Sequence, residues 1–107
     1  GSLKLRLDVV TSTIYIYIDD LIEIQSPDGP SRKVLRHMLE LNGRMVSPRL
    51  EIRADTNSIR ISAVMNTDTN FDRKAFRSIV LSLILASHKV REEFEKLQDG
   101  DQQPKTQ

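Results

Sequence analysis

The sequence predicts an α+β domain: a five-stranded antiparallel sheet with two helices on one face, in the order βββ-α-ββ-α. Three observations carry this reading. Five short segments alternate apolar and polar residues with the period of two that marks half-buried strands. Short turns join successive strands, and turns that short permit only antiparallel pairing. Two further segments change to a helical period with an apolar stripe, which places them together on one face of the sheet.

The first strand is read in Leu3, Leu5, Leu7 and Val9, which alternate with Lys4, Arg6 and Asp8. After Thr11-Ser12-Thr13, "IYIYI" sets Ile14, Ile16 and Ile18 on one face and Tyr15 and Tyr17 on the other. Asp19-Asp20 is short enough for a tight hairpin, although it lacks the glycine that such turns favour. "LIEIQ" then supplies a third strand with Ile22 and Ile24 inward. Pro27 and Pro30 end the sheet, since neither can donate a ladder hydrogen bond.

Ser31 suits the cap of a helix, and Pro30 suits its first turn. The apolar face of that helix comprises Val34, Leu35, Met38, Leu39 and Leu41, and Asn42-Gly43 stops it. "RLEIRA" and "SIRISAV" follow as two strands around the turn "DTNS", with Leu50, Ile52 and Ala54 facing the same side as Ile59, Ile61 and Ala63. From Asp72, a candidate cap, to Leu97 the period is helical again. The single domain therefore covers residues 1–97, and the polar tail 98–107 is expected to be disordered because it has nothing to bury.

The last helix holds more apolar residues than one face can take. At about 100° per residue, Phe76, Ile79, Val80, Leu83, Ala86, Val90, Phe94 and Leu97 share one stripe that should cover the sheet. Leu81, Ile84 and Leu85 point elsewhere, where a surface helix would carry Glu or Lys. Leaving each of them in water forgoes about 1.5–3 kcal/mol relative to burial. The domain's own first helix or a client segment could cover them; the expected cover is a second copy, with Leu81, Ile84 and Leu85 as the self-association surface of a homodimer of the two-fold kind that is commonest among oligomers.

Composition narrows the function classes. The chain has 107 residues, 38% hydrophobic and 29% charged, as soluble globular domains do, and a net charge of +1. That balance gives no general attraction for nucleic acid or for anionic membrane. No apolar run approaches the roughly 18–20 residues that span a bilayer. The chain contains no cysteine, which removes disulfides, thiolate zinc sites and a cysteine nucleophile, and which fits a reducing, cytoplasmic setting.

The order of elements and several short motifs resemble the YbjN-like family, which shares the fold of type III secretion chaperones. The matching stretches are "IEIQSP" (Ile22 to Pro27), "VLRHMLELN" (Val34 to Asn42), similar to that family's Leu-Leu-x-x-Asn helix end, and "RLEIRADTNSIRISAVM" (Arg49 to Met65). The long closing helix completes the resemblance, which covers residues 3–97. It implies a one-sided sheet with helices, frequent dimerisation, and a chaperone-like or regulatory role in binding a protein client. It brings no catalytic residue. Members usually begin with a further helix, and the opening Gly1-Ser2 has the look of a cloning scar, so the expectation is that such a helix has been cut away.

Chemistry-bearing residues are sparse. His88 has Glu92 four residues on, on the same helical face, but two ligands from one helix are too few for a closed metal site. His37 lies beside Glu40 and Leu41 in helical register and has no stronger claim. No nucleophile elbow is present, and no glycine-rich phosphate loop, so the reading is non-enzymatic with no cofactor and no metal. The polar sheet face is a second candidate. Tyr15 and Tyr17 should stand there beside Lys4, Arg6, Arg49, Arg53 and Arg60, as partner-contact residues. An alternative function from another class follows from the same face: weak single-stranded RNA binding, with bases stacked on Tyr15 and Tyr17 and phosphates held by Arg53 and Arg60. Glu23, Glu51 and Asp8 on that face would weaken it, so nucleic acid is the less favoured partner.

Overall fold

The computed structural model describes residues 3–67 and 71–102. Six elements follow in order: β1 (Leu5–Val10), β2 (Thr13–Glu23), α1 (Arg32–Arg44), β3 (Arg49–Arg53), β4 (Ser58–Asn66) and α2 (Arg73–Gln102). The strands form one antiparallel sheet in the order β1-β2-β4-β3. The α+β class, the antiparallel pairing and the two helices agree with the sequence reading. The number of strands does not.

There are four strands because Asp19-Asp20 is no hairpin. The segments read as the second and third strands are one long strand, β2, and both halves pair with β4: Ile18 opposite Ile61 and Ile22 opposite Ile59. Three residues on β2 (Asp19, Asp20 and Leu21) thus oppose the single Arg60 on β4, a bulge of two extra residues. The two extra residues are an even number, so alternation resumes in phase and Ile22 faces inward as Ile18 does. A hairpin of the favoured type needs positive φ at both central residues; here Asp20 alone of the pair adopts it, at φ 52°. Aspartate tolerates that conformation better than most residues. Ser58 Oγ then donates to Asp20 Oδ1 at 2.8 Å, which ties the bulge to the start of β4.

The true tight turn is Thr11-Ser12, between Val10 and its partner Thr13. Both helices begin where expected. Val34 N donates to Ser31 Oγ at 3.2 Å, and Ala75 N donates to Asp72 Oδ1 at 3.1 Å, so each cap satisfies one of the first-turn amides that a helix leaves open. α2 extends to Gln102, past the expected end at Leu97; the remainder of the expected tail, 103–107, lies outside the described residues.

One core joins the layers. Ile14, Ile16, Ile18, Leu21 and Ile22 of β2, Leu50 of β3, and Ile59, Ile61 and Ala63 of β4 pack with Met38 and Leu41 of α1 and with Leu83, Val90 and Phe94 of α2. The expected α2 stripe is borne out: its other members, Phe76, Ile79, Val80, Ala86 and Leu97, pack partly buried against this cluster. α2 lies over β2 and β4, α1 packs on β3, and neither helix reaches β1. That asymmetry decides what is left uncovered.

Candidate binding surfaces

The open face of the sheet carries a closed electrostatic network. It is centred on Asp19, which follows Tyr15 and Tyr17 in alternation onto that face. Arg6 of β1 donates from Nε to Asp19 Oδ2 at 2.7 Å and from Nη2 to Oδ1 at 3.3 Å. Arg53 of β3 lies 3.3 Å from Asp19 Oδ1 and Arg60 of β4 lies 4.0 Å from it. One carboxylate therefore meets cations from three strands. The hydrogen bond from Arg6, with the charges of Arg6, Arg53 and Arg60 behind it, holds the Asp19 carboxyl below its usual range, against the opposing effect of partial burial. The Arg6 guanidinium is pushed up in turn, chiefly by its hydrogen bond to Asp19.

Tyr17 sits inside this network. The Arg6 guanidinium carbon is 4.2 Å from the Tyr17 ring centroid and that of Arg60 is 4.4 Å, so two cations on flanking strands converge on its ring. Tyr15 lies next along the strand with its ring nearly parallel to Tyr17, centroids 6.3 Å apart. The remaining charges pair locally: Arg60 Nε with Glu51 Oε1 at 3.1 Å, Arg6 Nη1 with Asp8 Oδ2 at 2.7 Å, and Arg53 Nη2 with Asp55 Oδ2 at 3.1 Å. The arginines that RNA binding would require already face carboxylates. Sequence reasoning placed Tyr15, Tyr17, Arg6, Arg53 and Arg60 on one face. It missed Asp19, which it assigned to a turn.

The other face and its helices expose a second kind of surface. On α2, Leu81 is 54% exposed and Leu85 is 70% exposed, whereas Ile84 is half-buried. Of the three residues expected to self-associate, Leu81 and Leu85 thus form an exposed apolar patch, and Ile84 beside them is half-buried. On β1, Leu5, Leu7 and Val9 stand opposite Ile18, Ile16 and Ile14 and share their helix-side face. They remain 42%, 49% and 69% exposed because neither α1 nor α2 covers that edge. The alternation of "LRLDVV" signalled which way these residues point; nothing local could signal that the covering layer stops short of them.

Between α1 and α2, His37 Nε2 lies 3.6 Å from Glu93 Oε2, and Arg44 Nη2 lies 3.9 Å from the same oxygen. The His37 ring meets Phe94 edge-on, centroids 5.0 Å apart. Both the His37 nitrogen and the Glu93 oxygen are buried without a hydrogen-bond partner, so the pair is a close but unmade contact. Beside it a shallow hollow is lined by Leu41, Met45, Ala86 and Val90, with Lys89 at its rim. His88, the other histidine, is exposed on α2. Among the described residues no three His, Asp or Glu side chains converge as metal ligands, and no helix is long and apolar enough to cross a membrane.

No family model, curated protein or solved structure matches the chain.

Proposed function

We propose that the chain is a non-enzymatic protein-binding module, chaperone-like or regulatory, that self-associates as a homodimer in the cytoplasm and holds a partner segment on its exposed apolar surface. One observation carries this: α2 places Leu81 and Leu85 in water midway along a helix that elsewhere buries its leucine, valine and phenylalanine side chains. A helix so well seated on its sheet gains nothing by exposing two leucines unless another surface covers them. The likeness to secretion-chaperone-like domains supports the same reading. Apolar grooves and open sheet edges are two general means by which a protein takes up a segment of another chain.

On the open face, Tyr15 is the residue retained for partner contact, because the Tyr17 ring is already engaged by Arg6 and Arg60. The convergence of Arg6, Arg53 and Arg60 on Asp19 speaks against single-stranded RNA, since a phosphate would have to displace a carboxylate already in place.

The test is suppression of aggregation. The chain and a Leu81→Glu, Leu85→Glu double variant are each mixed with a heat-denaturing model protein while light scattering is followed. Suppression by the parent and its loss in the folded variant are the expected results. Equal suppression by both would remove the α2 patch from the reading. No suppression by either would remove the chaperone-like activity itself.

A further inference from the structure

We infer that β1 is the self-association edge: two copies pair their β1 strands antiparallel about a two-fold axis at Leu7, with Arg6 of each opposite Asp8 of the other. This rests on the reading of the chain as a self-associating binding module; it moves the self-association from Leu81, Ile84 and Leu85, where the sequence placed it, to β1 with a defined register, and leaves the α2 patch to the partner.

β1 is an outer strand of the sheet, so one row of its backbone donors and acceptors has no neighbour among the described strands. Outer strands are commonly protected by proline, by inward charges or by a covering helix. β3, the other outer strand, follows Pro48 and has α1 packed against it. Among the described residues β1 has neither a proline nor an inward charge, and neither α1 nor α2 covers it. Its helix-side residues Leu5, Leu7 and Val9 are apolar and exposed, and Val10 on the opposite face is exposed as well. Such an edge invites another strand.

The sequence of β1 says which strand fits. Read outward from Leu7 in either direction, "LRLDV" is apolar, then charged, then apolar, and the two charges are opposite in sign. An antiparallel pair centred on Leu7 therefore sets Leu5 against Val9 and Arg6 against Asp8, and does so twice. On the open face each chain's own Arg6–Asp8 pair, 2.7 Å apart, meets the same pair reversed, so that four charges alternate in sign across the joint, and the aliphatic side chains fall on the helix side, each with a cross-strand neighbour. Neighbouring registers that keep both helix layers on one side of the sheet shift by two residues. One such shift sets Arg6 against Arg6, and the other sets Asp8 against Asp8. Parallel pairing repeats each charge against itself. Within β1 the central register alone sets each charge opposite one of the other sign and each helix-side apolar residue opposite another, and a strand of arbitrary sequence would not. The product is a continuous eight-stranded sheet with both α2 helices on one side, and the Leu81 and Leu85 patches stay clear of the joint, available to a partner protein.

The chain contains no native cysteine, so single cysteines report the register directly. Copies carrying Leu5→Cys and copies carrying Val9→Cys are oxidised separately and as a mixture. In the proposed register positions 5 and 9 of different copies face each other at about 4.5–5.5 Å between Cβ atoms, whereas like positions are about 13 Å apart along the strand. The expected result is a cross-linked dimer in the mixture and little in either single sample. Sedimentation equilibrium accompanies it: a dimer for the parent, and dissociation more than tenfold easier for Asp8→Arg, which sets like charges against Arg6 twice over. Both substituted apolar positions are exposed, so the fold is not at stake. Cross-links within single samples, or a dimer dissolved by Leu81→Glu, Leu85→Glu but not by Asp8→Arg, would overturn the β1 joint while leaving self-association in place. A monomer at every concentration would overturn the joint and the homodimer together.

Discussion

The guanidinium of Arg6 stacks 4.2 Å from the Tyr17 ring centroid while its Nε donates to Asp19 at 2.7 Å. One side chain on an outer strand thus grips both an aromatic ring and a carboxylate of its neighbour. With Arg60 also close to that ring and Arg53 reaching Asp19 from the far edge, side chains of all four strands are linked across the open face. The face that looked available for ligands is in large part cross-strand structure.

Removing the carboxylate at the centre should therefore cost stability, and the loss should depend on pH. The Asp19 carboxyl titrates lower in the folded chain than in the unfolded one, where an aspartate titrates near 3.9. A lowered folded value means that the stabilisation is fully present above the unfolded value and is lost as pH falls through the folded one. Asp19→Asn is expected to lose about 1–2 kcal/mol at pH 7, the scale of a charge-assisted hydrogen bond that is partly open to water. Urea denaturation at pH 7 and at pH 2–3 measures it. The gap between parent and variant should narrow in acid; a gap of constant size would mean that the carboxylate charge contributes nothing.

Tyr15 and Tyr17 are neighbours of the same type on one face, yet they should differ on substitution. Tyr17→Leu keeps strand propensity and bulk but removes the ring that two guanidinium groups approach, at an expected cost of about 1 kcal/mol. Tyr15→Leu removes only one side of the Tyr15–Tyr17 ring contact and should cost less than half of that. Thermal unfolding of the two variants side by side decides it. Equal losses would show that the cations add nothing to the ring's ordinary packing.

How far the sequence carries can be seen at three residues. Ile22 was placed inward correctly, but the strand containing it was assigned the wrong connection. A bulge with two extra residues leaves the period of two in phase, so a hairpin and a bulge give the same pattern, and periodicity reports a residue's face but not its partner. Asp19 was invisible as a site because its role needs three arginines brought together by β1, β3 and β4, contacts that exist only after the sheet is assembled. Leu7 was read on the right face and taken to be covered, since local alternation says nothing about where a helix layer ends. The surplus on α2 was legible, because a helix of known pitch shows its own faces: Leu81 and Leu85 are exposed where the wheel placed them.

Asn42 illustrates the same limit on a smaller scale and yields a third prediction. Sequence alone marks it as part of a helix stop beside Gly43. In the fold its side chain accepts from Leu50 N at 2.7 Å and donates to Leu50 O at 3.1 Å, pairing with that residue as another strand would. Asn42→Ala leaves both backbone groups of a buried β3 residue without their partner, at an expected cost of about 1–3 kcal/mol. Faster hydrogen exchange at the Leu50 amide, ahead of global unfolding, is the direct readout. An amide that exchanges at the parent's rate would show that the Asn42 bridge adds nothing to the hold on β3.

Leu83 and Leu85 stand two residues apart on α2 and should give opposite results. Leu83 is fully buried against the sheet, and truncating it to alanine removes its contacts and leaves a cavity, an expected loss of about 2–5 kcal/mol. Leu85 is 70% exposed, so its alanine variant should unfold within about 0.5 kcal/mol of the parent. The pair separates the two roles of one helix, since stability should follow Leu83 and suppression of aggregation should follow Leu85. Chemical denaturation of both variants, at protein concentrations spanning a hundredfold range, tests the division. If Leu85→Ala proves as destabilising as Leu83→Ala, and equally so when dilute, the outer face of α2 is covered within a single chain. The case for a binding patch there would then fail on stability alone.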